Sequence, residues 1–221
     1  MVDRIGEIAG FAGKNVLDVG CGWGALAYVV AKRNGDPCVC AVDVSRRCLD
    51  GARRHCNGLN VAFAAGSAER LPFSSTVFDV VVLFDVLEHV GDVEEALREC
   101  ARVLKRQGLL YVEFAPYYCL VSGHHMYGFT FLPLQFLPEA FVRHLVSLKG
   151  SAADLETLNS LNRLTIQRFQ RLVKRFSLEV LADNYVVKYS PFAGVSLKPL
   201  KYLGVLRELA AMAYVSVLRK H

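Results

Sequence analysis

Short apolar runs closed by turn residues recur through the first half of the chain: VLDVG (16–20), CVCAVD (38–43), VAFAAG (61–66) and FDVVVLFD (78–85). Each is long enough for a strand, and each is followed by residues that favour a turn or a helix start. Between them the apolar positions follow a helical period. One helix is predicted from Trp23 to Arg33, ending at Asn34-Gly35-Asp36-Pro37, and a second starts at the N-cap Ser45 and stops near Gly58. Strands that are apolar at almost every position, rather than at every second one, imply a sheet covered on both faces. A parallel arrangement with flanking helices supplies that cover. Asp92 with Glu95 has the spacing of a capping box, and Val93, Ala96, Leu97, Cys100, Val103 and Leu104 mark one apolar helical face. Gly108 is expected to end that unit, and LLYVEF (109–114) reads as a fifth strand.

Past Phe114 the alternation breaks. No Asp, Glu, Lys or Arg occurs from Phe114 to Pro138, yet Pro116, Pro133 and Pro138 with several glycines exclude a continuous membrane-spanning helix. The segment reads as a lid or pocket wall, part of an insertion over 115–162 within one domain of 221 residues. Helices are predicted from Glu139 to Lys149 and from Arg163 to Phe176, and late strands over 178–189 and 212–220.

Composition adds three expectations. The chain is 53% hydrophobic and starts without a signal-peptide pattern, so a folded cytoplasmic protein is expected. Its seven cysteines are an odd set without zinc-ligand spacing and read as buried reduced thiols; Cys38 and Cys40 are expected on opposite faces of their strand, and no metal site is expected. The net charge of +5 is uneven. Residues 1–110 hold 13 Lys/Arg against 14 Asp/Glu, and residues 111–221 hold 13 against 7. Such an excess serves an anionic partner or is a solvated helix face, and the latter is the plainer reading.

The candidate chemistry lies in VLDVGCGWGALAY, Val16 to Tyr28. Glycines at such a junction let the backbone turn sharply and let a ligand approach, while the following helix offers N–H groups. Gly20, Gly22 and Ala25 satisfy the dinucleotide pattern G-x-G-x-x-G/A, and Asp43, at the end of the second strand, could accept ribose hydroxyls in either a dinucleotide or a smaller adenosyl ligand. Two further segments separate the readings: GSAERLPF (66–73) after the third strand, and FDVVVLFDVLEHV (78–90), which places Asp85, Glu88 and His89 beyond the fourth. With LDVGCGWG, in this order, they resemble the class I S-adenosylmethionine-dependent methyltransferases, in particular the group acting on small molecules and lipids. The resemblance covers roughly residues 12–114, and the last two strands more loosely.

The resemblance implies a Rossmann-like α/β fold with a seven-stranded, mostly parallel sheet in the order 3-2-1-4-5-7-6. It implies S-adenosylmethionine as cofactor and methyl transfer by in-line displacement, with no metal. Gly20, Cys21, Gly22 and Trp23 would pack against the methionine part, with Asp18 near its ammonium. Asp43 and Val44 would meet the ribose, Ser67, Ala68 and Glu69 the adenine, and Phe84 and Asp85 would border the cofactor. The family often has Asp where this chain has Ser67, whose hydroxyl accepts a hydrogen bond without a carboxylate's charge. Tyr117, Tyr118 and Tyr127 are candidate substrate contacts, and His124, His125 and His89 candidate bases. A small apolar or lipid-like acceptor is expected, because 25 residues without formal charge suit polyanions poorly. Arg163, Arg168, Arg171, Lys174 and Arg175 keep RNA as second choice, and a nicotinamide oxidoreductase or a non-catalytic adenosyl sensor are readings from other classes. Oligomeric state is not legible.

Overall fold

The computed structural model describes residues 10–33, 35–118, 137–149, 156, 158–186 and 213–221. Five strands run parallel: β1 (Asn15–Val19), β2 (Cys38–Asp43), β3 (Val61–Ala65), β4 (Phe78–Phe84) and β5 (Leu104–Phe114). β6 (Leu178–Val186) and β7 (Ala213–Lys220) complete the sheet; β7 lies antiparallel between β5 and β6. The order is β3-β2-β1-β4-β5-β7-β6, as expected. Among the described residues the named helices are α1 (Ala25–Ala31), α2 (Arg46–His55), α3 (Val93–Val103), α4 (Glu139–Lys149) and α5 (Ile166–Val173), with a 3-10 turn over Leu87–His89.

The continuous apolar runs arise because successive strand residues feed two separate cores. Val16, Val39, Ala41, Val80, Val82 and Tyr111 pack under α1 and α2 with Leu26, Val30 and Leu49. Their neighbours Leu17, Val19, Val42, Val81, Leu83 and Val112 face the other way, onto α3 and α5 through Leu97, Cys100 and Phe169. Burial of both faces removes the polar alternation a one-sided sheet would show.

Several boundaries differ from expectation for local reasons. α1 starts at Ala25 rather than Trp23 because Gly24 holds a left-handed conformation (φ 80) at its N-cap. α3 ends at Val103, not at Gly108: the chain turns straight into β5 at Leu104, and residues 105–108 form an irregularity between the pairs Phe78↔Leu104 and Val80↔Leu109. α5 starts at Ile166, capped by the Thr165 hydroxyl, because Arg163 sits at φ 58. Asp92 caps α3 by accepting from the N–H groups of Glu94 and Glu95, but the reciprocal arm of the predicted capping box is absent. The Asp92 N–H goes to Glu69 Oε1 at 2.6 Å, while Glu95 pairs with Arg98. Cys38 and Cys40 share one face of β2, since strand side chains two residues apart point the same way, and the two free thiols share a hydrogen bond. No group of three or more metal-ligating side chains occurs among the described residues, and no helix among them is long and apolar enough to cross a membrane.

Candidate functional site

At the carboxyl ends of β1 to β4 the loops enclose a cleft of about 290 Å³ lined by Gly20, Asp43, Val44, Gly66, Ser67, Ala68, Glu69, Asp85, Val86, His89, Val90 and Gly91. Its shape begins with the glycine loop. Gly20 is at φ 68, and a Cβ there would lie 2.4 Å from Val86 Cγ2, so only glycine allows the loop and the wall to meet. The N–H groups of Gly20 and Cys21 both donate to Val42 O, at 2.8 and 3.0 Å, and Gly22 N donates to Asp43 Oδ2 at 2.8 Å. Ser45 N donates to the other Asp43 oxygen at 2.8 Å. One carboxylate thus pins the loop after β1 to the loop after β2, and the loop amides point back into the protein rather than into the cleft.

The charge of the lining follows. Among the described residues it carries the carboxylates of Asp43, Glu69 and Asp85, and no Lys or Arg. Beneath it Asp18 is 3% exposed, with one oxygen lacking a hydrogen-bond partner. Burial pushes its pKa up to about 7; the Ala27 backbone hydrogen bond opposes this and Asp43 adds to it. Such a site favours a cationic group over a pyrophosphate.

The third wall joins the expected Asp85, Glu88 and His89 to two residues the sequence reading passed over, Ser160 and Asn162. Asp85 sits at φ 53, which an Asp tolerates, and its N–H donates to Glu113 O. Glu88 is 1% exposed; Ala115 N donates to its Oε1, its Oε2 is without a partner, and burial raises its pKa to about 8. Asn162, distant in sequence, holds this turn from outside: its Nδ2 donates to Leu87 O and Val90 O at 2.6 and 2.7 Å, and its N–H to Glu88 O. Ser160 Oγ lies 2.7 Å from His89 Nδ1. The signal that could have found Asn162 is an Asn in a non-helical run, where its amide serves backbone groups. Asn162→Ala orphans the carbonyls of Leu87 and Val90. It is expected to cost about 2 kcal/mol and to weaken ligand binding at the His89 wall, readable as a lower thermal midpoint and a higher dissociation constant.

The other expected site residues are placed as follows. Ser67 Oγ donates to Glu69 Oε2 at 3.0 Å and accepts from Glu69 N, so these two form a local unit on the cleft wall. Cys21 is buried, and burial with the nearby Asp18 and Asp43 carboxylates raises its thiol pKa strongly, the profile of an inert packing group. Trp23, 55% exposed, lies against Gly51 of α2. Neither it nor Asp18, Cys21, Gly22 or Phe84 lines the cleft itself. Tyr117 and Tyr118 pack edge to face at 5.1 Å outside the cleft lining, with the Arg163 guanidinium over the Tyr117 ring. His124, His125 and Tyr127 lie outside the described residues. Gly66, Val86 and Val90, which lie in the two segments that carry the resemblance but were given no role, complete the lining with Gly91, which lies just beyond the second.

Residues 16–108 match a family model described as a methyltransferase domain. Over 114 residues the chain is 38% identical to the ubiquinone biosynthesis O-methyltransferase of Caulobacter vibrioides, covering 50% of this chain and 44% of that one. It spans about half the length of the curated relatives it matches. An S-adenosylmethionine-dependent methyltransferase from Mesorhizobium loti has the same fold, with a TM-score of 0.66 at 14% identity over 95% of this chain and 92% of that one. So does the magnesium protoporphyrin IX methyltransferase of Synechocystis with bound SAH, at a TM-score of 0.61 and 14% identity over 100% of this chain and 80% of that one.

Proposed function

We propose that this chain is a class I S-adenosylmethionine-dependent methyltransferase and that it transfers a methyl group to an oxygen of a small, apolar or lipid-like acceptor. The observation that carries the reading is the cleft's charge: three carboxylates and no Lys or Arg among the described lining residues, and glycine-loop amides already spent on Val42 and Asp43. A nicotinamide dinucleotide brings two phosphates to such a loop and needs its amides free. A sulfonium nucleoside brings positive charge instead. The acceptor class rests on the curated relatives' names and on the uncharged run from Phe114 to Pro138.

The residues present fit that cofactor. Asp43 and Val44 would hold its ribose, Ser67, Ala68 and Glu69 its adenine, and the Gly20–Gly22 loop over Asp18 its cationic end, bordered by Asp85. Bound S-adenosylmethionine supplies a sulfonium methyl that an acceptor oxygen attacks in line, the carbon–sulfur electron pair returning to sulfur. The chain's own work is to align that oxygen and exclude water. The insertion over 115–162 would close the acceptor side, with Tyr117, Tyr118 and Tyr127 as contacts. His89, with its Nδ1 beside Ser160, is a candidate to take the hydroxyl proton, together with His124 and His125.

RNA stays the second choice: of the five cations behind it, the four arginines contact the protein itself. Arg168 donates to Asn162 O, Arg171 to Gln167 O, Arg175 pairs with Glu94 and Arg163 covers Tyr117. Titration of the chain with S-adenosylmethionine and NAD, followed by a labelled-methyl assay over extract fractions, tests the proposal. Saturable binding of the sulfonium nucleoside and label in an organic-extractable product are expected. Uptake of NAD alone would sink it. Wild-type turnover by each of His89→Ala, His124→Ala and His125→Ala would remove the base assignment while leaving the transfer intact.

A further inference from the structure

A second cavity lies at the opposite, amino edge of the sheet, about 400 Å³ in volume and lined by Lys14, Asp79, Arg106, Gln107, Gly108, Leu109 and Arg219. Its charge is the reverse of the cleft above the carboxyl ends. Lys14 precedes β1, Arg106 sits in the irregular start of β5, and Arg219 lies on β7 opposite Leu109. Three chain segments far apart in sequence thus bring three cations to one concavity.

Among the described residues one carboxylate, Asp79, belongs to the lining, and its hydrogen bonds are directed away from the two arginines. Asp79 Oδ2 accepts from Asn15 N at 2.9 Å and from Lys105 Nζ at 2.8 Å, and these donors hold its pKa below the usual carboxylate value against the opposing effect of burial. Its charge is met by Lys105, with Lys14 also acting on it, so the cavity's attraction for an anion rests on Arg106 and Arg219. Neither Arg106 nor Arg219 has an ion-pair partner among the described residues. The left-handed Gln107 (φ 61) and Gly108 shape the rim between these two arginines' strands. Guanidinium groups present planar pairs of N–H donors that match phosphate oxygens, and a concave wall concentrates their field.

We propose that this amino-edge cavity binds a phosphate-bearing anion, held by Arg106 and Arg219 and separated from the methyl-transfer cleft by the length of the strands. The phosphate is carried either by a small soluble molecule or by a lipid headgroup, and the chemistry of recognition is the same. The site does not depend on the methyltransferase reading.

Calorimetric titration of the full chain with pyrophosphate, and sedimentation with phosphatidylcholine vesicles with and without phosphatidic acid, test it. Saturable pyrophosphate binding that weakens with added salt, and falls about tenfold or more in Arg106→Ala/Arg219→Ala, is expected for a soluble ligand. Retention on the phosphatidic acid vesicles alone, lost in the same double variant, assigns the phosphate to a lipid. Arg106→Glu, at an exposed position, gives the same readout if the double variant folds poorly. S-adenosylmethionine binding is measured alongside and stays at the wild-type value in these variants, so failure of the cleft reading is seen separately. Unchanged pyrophosphate and vesicle binding in the variants, or binding of neither by the wild type, overturns the proposal.

Discussion

Asp43→Ala is expected to lower S-adenosylmethionine affinity by about two orders of magnitude, more than any other single change in the cleft. The carboxylate makes two charge-assisted hydrogen bonds, to Gly22 N and Ser45 N, both at 2.8 Å, and faces the cleft as well. Each such bond is worth about 1.5–3 kcal/mol, and their loss also frees the glycine loop. Asp43→Asn offers no relief, since an amide has one acceptor oxygen for two backbone donors and turns its NH₂ toward one of them. Titration calorimetry reads the affinity, and a melt without ligand reads the loop's share of stability. Wild-type affinity in either variant would contradict the ribose-site assignment.

Asp18→Asn is expected to act in opposite directions on stability and on binding. The Asp18 pKa rises from 3.8 in the unfolded chain to about 7 in the fold. The native state therefore prefers the proton: full stability is present below pH 4 and is lost as pH rises through about 7. Glu88, raised to about 8, extends the same trend upward. Removing the charge at Asp18 should raise stability at pH 8 by on the order of 1–3 kcal/mol and change it little at pH 4. A cationic ligand reverses the preference, because it favours the ionised carboxylate beneath the loop. Wild-type affinity for S-adenosylmethionine should rise with pH through about 7, whereas Asp18→Asn should bind about tenfold more weakly at pH 8 with a flat profile. Thermal melts and titrations at three pH values separate the two effects. A sloping profile in the variant would assign the pH dependence elsewhere.

The parallel sheet was legible because its residues carry the evidence themselves: both faces of β1, β2 and β4 are apolar, so Val16 to Val19 and Phe78 to Phe84 advertise burial without knowledge of their partners. Ser45 and Asp92 likewise cap their helices through neighbours two or three residues away, which local spacing reveals. What sequence reading missed depends on contacts between distant segments. The Glu95 arm of the capping box was displaced by Glu69, 23 residues upstream, because GSAERLPF folds against the start of α3 and its carboxylate reaches Asp92 N first. Asn162 and Ser160 reach the turn after β4 across more than 70 residues. The irregularity at 105–108 answers to the register of β4, not to Gly108 alone. In the site, Asp43 was found from its place at the end of β2, but its bond to Gly22 requires the two strands to be neighbours. The excess of carboxylates over Lys and Arg among the described lining residues is a property of all four loops together, and no one loop displays it.

The tethering of Gly20, Cys21 and Gly22 to β2 has a kinetic consequence. Main chain there is already ordered before an encounter, so capture of a ligand carries little conformational entropy penalty at the loop and proceeds as docking onto a finished surface.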